Sequence, residues 1–113
     1  SARGYEAHYE HSLGYENPQG QIPYFGFSIY RYDTEQEAAA QLAEARQWYD
    51  EQSYSPLELE DLGDEAVVAY LEMDDLELHA RKGSYHIYFS WASGEYAYEP
   101  VVALARLVVD RLP

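Results

Sequence analysis

From Gly4 to Glu16 apolar and polar side chains alternate. Tyr5, Ala7, Tyr9, His11, Leu13 and Tyr15 fall on one parity; Glu6, His8, Glu10, Ser12 and Glu16 fall on the other. A period of two is the mark of a strand with one apolar face. Asn17-Pro18-Gln19-Gly20 then reads as a turn. Tyr24–Tyr32 is the next strand, with Phe25, Phe27 and Ile29 on one side and Tyr24, Ser28, Tyr30 and Tyr32 on the other.

The period changes at Thr34. Thr34-Glu35-Gln36-Glu37 is a capping box, and the run to about Glu51 is rich in helix-forming Ala, Gln and Glu. Ala38, Leu42, Ala45 and Tyr49 make its apolar stripe. Ser53-Tyr54-Ser55-Pro56 ends the helix, and Leu57–Gly63 is a linking segment with a short turn. Strands follow at Ala66–Glu72, Leu76–Arg81 and Ser84–Trp91, with a turn at Met73-Asp74-Asp75 and a hairpin at Lys82-Gly83. Ser93-Gly94-Glu95 is a loop. Pro100 opens a second helix whose buried face is Val101, Leu104, Ala105, Val108 and Leu112. Arg106 and Arg111 fit the negative end of its dipole.

This order predicts an α+β fold (ββαβββα): one domain over residues 1–113, with a mostly antiparallel sheet of about five strands and both helices packed on one face. The core face then carries Phe25, Phe27, Ile29, Val67, Ala69, Leu71, Leu76, Leu78, Tyr85, Ile87, Phe89 and Trp91. The uncovered face carries Tyr24, Tyr30, Tyr32, Tyr70, His79, His86 and Tyr88. An uncovered antiparallel face is normally polar, so this one is unusually aromatic. It suggests a platform for a protein partner, a carbohydrate or a neighbouring subunit. The plainer account is that tyrosine favours strands. The Tyr5, Tyr9, Leu13, Tyr15 strand is a second docking element, because a terminal strand can add to a neighbour's sheet edge. Its ordinary alternative is a hairpin with Tyr24–Tyr32.

Composition narrows the roles. Thirteen of the 113 residues are tyrosine, and 21 acidic residues against 7 basic ones give a net charge of −14. That field repels phosphate backbones, so no nucleic-acid partner is expected. It also leaves an alternative role, an acidic inhibitor of a basic toxin or nuclease. No cysteine is present, which excludes disulfides and thiolate metal sites. No apolar run is long enough for a transmembrane segment. The start Ser-Ala-Arg-Gly fits a mature form left by signal cleavage, or a trimmed chain.

Catalytic and metal sets are missing at this level. Glu58, Glu60, Asp61, Asp64 and Glu65 crowd around Gly63, but nothing fixes a separation for acid–base work; a solvated loop with Asp64 capping a turn is the plain reading. His8 lies between Glu6 and Glu10, and His79 and His86 can meet across the Lys82-Gly83 hairpin, yet each ligand set is incomplete. There is no nucleophile elbow and no glycine-rich phosphate loop. A non-enzymatic chain without cofactor or metal is expected.

Gly63-Asp64-Glu65-Ala66, then Arg81-Lys82-Gly83-Ser84, then the helix Ala103-Leu104-Ala105-Arg106-Leu107-Val108 form a sequence of motifs. It resembles small extracytoplasmic domains of bacterial envelope lipoproteins and receptor-kinase sensor regions. Ser84 stands where those domains carry asparagine. The resemblance spans the C-terminal half. It implies export, with a secreted or envelope-anchored location, and a non-catalytic binding or assembly role. It brings no catalytic residues.

Overall fold

A computed structural model of the chain describes residues 2–12, 24–71, 75–92 and 98–113, with side chains described for 25–71, 75–91 and 98–113. Its elements are β1 (Ala2–Ser12), β2 (Tyr24–Tyr32), α1 (Glu35–Glu51), β3 (Leu57–Glu58), β4 (Glu65–Tyr70), β5 (Leu76–Lys82), β6 (Tyr85–Ala92) and α2 (Tyr98–Asp110). All pairings are antiparallel, and the sheet order is β1-β2-β6-β5-β4-β3. The α+β class and the ββαβββα order therefore hold, with the two-residue β3 added beside β4.

The chain enters α1 as expected. Thr34 accepts the Glu37 N–H at 3.1 Å, satisfying one of the free donors of the first turn. Ala38, Leu42 and Tyr49 are buried, and each of the two larger side chains contributes about 2 kcal/mol by leaving water.

The placement of the helices corrects the expectation. They lie on opposite faces of the sheet. On one side Val101, Ala105 and Val109 of α2 join Phe25, Ala66, Val68, Leu76, Leu78, Ala80, Ile87 and Phe89 in the main core. On the other side α1 packs over β2, β6, β5 and β4, and Tyr49 meets Glu77 and His79. Topology is the reason. β2 and β3 are separated in the sheet by β6, β5 and β4, so the connection carrying α1 must cross a face. α2 leaves from the central β6 and returns over the other face.

β4 records this burial. Ala66, Val67, Val68 and Ala69 are all buried, so the strand has no wet side. Val67 and Ala69 pair with His79 and Glu77 and share the α1 side; Ala66 and Val68 pair with Ala80 and Leu78 and join the α2 core. The expected core face was therefore inverted at β4, and Tyr70 moves with it to the side of α2.

The motifs behind the family resemblance grip one another. Asp64 accepts the Gly83 N–H at 2.7 Å, and its own N–H donates to the Arg81 carbonyl at 2.7 Å. Arg81 donates to Glu65 at 2.7 Å. Gly83, at φ +57°, takes the first loop position of the β5–β6 hairpin, where a positive φ matches strand twist. Lys82 donates to the Val109 and Leu112 carbonyls at 3.1 and 2.7 Å and so caps the end of α2. Arg106 instead donates to the Asp61 carbonyl. The capping cation thus comes from the hairpin and not from the helix. Lys82→Met should cost about 2 kcal/mol, because charged hydrogen bonds to two free carbonyls are lost. An unchanged urea midpoint would refute that role.

Candidate functional site

The residues expected on an open face lie in three different settings. Tyr32 and His86 are buried, at 8% and 7% exposure, and Tyr30, His79 and Tyr88 are half-buried on the α1 side. Tyr70 is 51% exposed on the α2 side, where its ring stacks on Tyr98 at 6.4 Å. Tyr24 pairs with Ala92 and Ser12 through the backbone. Tyr5 and Tyr9 lie in β1, opposite Tyr30 and Phe27, so the N-terminal strand makes the ordinary hairpin within the chain. Leu13 and Tyr15 lie outside the described residues. The uncovered platform is therefore corrected: α1 roofs it.

What the roof leaves is a recess at the edge of α1. It has a volume of about 320 Å³ and is lined by Ala45, Trp48, Tyr49, Glu77, His79 and Tyr88. That is the lower end of the range for small-ligand pockets. Its lining is mostly apolar. Trp48 remains 45% exposed, the most open ring of the group. Glu77 is the polar centre. Its carboxylate accepts the Tyr49 hydroxyl at 2.8 Å and the Tyr88 hydroxyl at 2.9 Å, one on each oxygen. A carboxylate has about four acceptor positions, so capacity is left.

The end of α1 sets the indole in place. Tyr54 N–H donates to the Tyr49 carbonyl and Ser53 N–H to the Asp50 carbonyl, at 2.9 and 3.1 Å. With Ser53 at φ +64° this is a Schellman ending, in which serine takes the left-handed position usually held by glycine. Such endings bring the residue after the turn against the last helical turn. Here Tyr54 lies against Trp48, with ring centroids 5.9 Å apart. Tyr49 meets the indole edge-on, at 5.5 Å. The tryptophan is therefore in ring contact with two tyrosines.

Burial and charge set the protonation states. Burial, and then the Glu77 charge, push the Tyr49 and Tyr88 hydroxyls well above the usual phenol range, so both stay donors. Arg46 is held above its ordinary value, chiefly by its hydrogen bond to Glu58 and also by Glu65. Burial pushes Glu65 up, but hydrogen bonds from Arg81 and Arg46 outweigh it and leave the carboxyl below its ordinary value. The acid-rich loop is thus a set of anchors: Glu58 and Glu65 each receive Arg46 at 2.8 Å, and Asp64 holds the hairpin.

Beneath the recess the two sheet histidines meet. His79 Nδ1 and His86 Nε2 are 2.9 Å apart, with ring centroids at 5.1 Å and planes within 11° of each other, so the rings meet edge to edge. Burial lowers His86 to about 4; burial, the His86 charge and Arg46 lower His79 to about 3. Both are neutral at pH 7. His86 Nδ1 is buried without a hydrogen-bond partner among the described residues. Tyr30 stacks on His86 at 5.6 Å, and Tyr88 lies 4.8 Å from His79. Among the described residues no group of three or more side chains is arranged to hold a metal ion.

Trp48 and Glu77 were absent from the sequence-derived site. One signal for the covered face was present: Ala66-Val67-Val68-Ala69 is continuously apolar, as in strands buried on both sides. Trp48-Tyr49 followed by Tyr54 is an aromatic cluster at a helix end, but only the fold sets it against Glu77. No helix among the described residues is long and apolar enough to cross a membrane. The chain matches no known family model, and comparison with curated proteins and with solved structures gives no match either.

Proposed function

We propose that this domain is a non-enzymatic recognition module whose ligand sits in the recess between α1 and the sheet. The observation that carries the reading is the exposed Trp48 at the mouth of an aromatic pocket with the Glu77 carboxylate inside it. Exposed large aromatics braced by neighbours are characteristic contact residues, because little side-chain entropy remains to be lost on binding. Export belongs to the same proposal and rests on the resemblance of the C-terminal half to envelope domains. The aromatic sheet face contributes the walls of the pocket and not an open platform.

The test is a nuclear magnetic resonance (NMR) titration of the whole chain with a panel of cationic, neutral and saccharide fragments. The Trp48 indole N–H and the Tyr88 ring signals should move with at least one of them, and Trp48→Leu should weaken the Tyr88 response about tenfold. Shifts confined to Tyr70 and Tyr98, or to β1, would place recognition elsewhere and refute the recess.

A further inference from the structure

Resting on the recess as the binding site, we infer that its ligand is an organic cation, a fully substituted ammonium group. Four features support this. The exposed Trp48 and the half-buried Tyr88 line one small space together with the buried Tyr49, and aromatic rings attract cations. Glu77 supplies a carboxylate among them, held in position by hydrogen bonds from two neutral phenols. The described ion pairs of Arg46 and Arg81 go to Glu58, Glu65 and Asp64, and none reaches Glu77. The whole chain carries −14, which raises the local concentration of cations.

Hydrogen-bond accounting separates the candidate classes. A sugar needs several directed donors and acceptors, while this lining is mostly apolar and Glu77 already accepts two protons. A primary ammonium brings three N–H groups that need acceptors. A trimethylammonium group brings none, presents methyl groups to the rings, and gains from the nearby carboxylate. An acyl or phosphoryl anion would meet the Glu77 charge directly.

The experiment titrates the full chain with choline and with its neutral isostere, 3,3-dimethyl-1-butanol, following Trp48 and Tyr88 by NMR. N-acetylglucosamine is the saccharide control. Choline should bind saturably and at least about tenfold more tightly than the isostere. Glu77→Gln keeps the size and polarity of the side chain but removes its charge. It should weaken choline about tenfold and leave the isostere unchanged. Trp48→Leu, at an exposed position with little risk to folding, should weaken choline by a similar factor. Equal binding of choline and the isostere, or a response to the sugar alone at these residues, would overturn the cation and leave the recess as a site. No movement of Trp48 or Tyr88 with any probe would overturn both.

Discussion

Lowering the pH from 7 to 5 should remove about 4 kcal/mol of stability, and the histidine pair beneath α1 should account for the loss. The folded-state values of His79 and His86 lie at about 3 and about 4, below the ordinary imidazole value of 6.5. The unfolded chain therefore binds more protons than the folded one between pH 6.5 and about 4. Their contribution is full above 6.5 and declines as the pH falls. At pH 5 each imidazole in the unfolded chain is protonated while its folded counterpart is not, which costs about 2 kcal/mol per ring. That is a large part of the roughly 5–15 kcal/mol typical of a domain.

The surroundings reinforce the effect. Arg46 and Tyr49 approach from α1, Tyr88 from β6 and Tyr30 and Tyr32 from β2. A second proton would place two imidazolium rings 5.1 Å apart. Glu65 acts in a separate window: its lowered value contributes stability that is lost only as the pH falls below about 4.5. Thermal midpoints between pH 7 and 5, with NMR titration of the His79 and His86 ring protons, check the assignment. Ordinary titration of both rings near 6.5 would dispose of it.

Gly63→Ala should be the most damaging small substitution outside the core, at about 3 kcal/mol. Gly63 has φ +64°, and a Cβ there would lie 2.4 Å from the Arg81 carbonyl oxygen. That oxygen is backbone and already accepts the Asp64 N–H, so it cannot move away cheaply. Gly83 provides the contrast. Its φ is +57°, but the nearest atom to an added Cβ is a Glu35 carboxylate oxygen at 3.5 Å, the far end of a flexible side chain. Gly83→Asn, with a residue that tolerates left-handed backbone, should cost under about 1 kcal/mol. Urea unfolding of the two variants checks the ranking. Equal losses would mean that the Gly63 contact is not tight.

Local rules fixed much of this fold before any tertiary contact was considered. The alternation in Tyr24–Tyr32 and in Tyr85–Trp91, the Thr34 cap and the turn after β5 are short-range properties, so the strands, the helices and the hairpin neighbours were legible, whereas the pairing of β2 with β6 was not. The turn falls at Gly83-Ser84, one residue later than expected, so the register pairs His79 with Tyr88 and His86 with Arg81, and the two histidines meet as diagonal neighbours on one face. Periodicity says which residues share a face; it does not say which face a later element covers. Alternation therefore identified the tyrosine-rich side and missed its roof, and at β4 it chose the wrong parity because both parities are apolar.

Residue type and spacing over a few positions specify an acidic, cysteine-free α+β chain, with its helices, hairpins and aromatic strand faces. Long-range packing puts α1 across the sheet from α2, sets Arg46 between Glu58 and Glu65, and brings Trp48 and Glu77 into one recess. The physical reason is separation along the chain. Glu77 lies 28 residues from Tyr49, and no local preference encodes a hydrogen bond over that distance. Only the requirement to bury both faces of β4 and β5 brings the helix down onto the carboxylate.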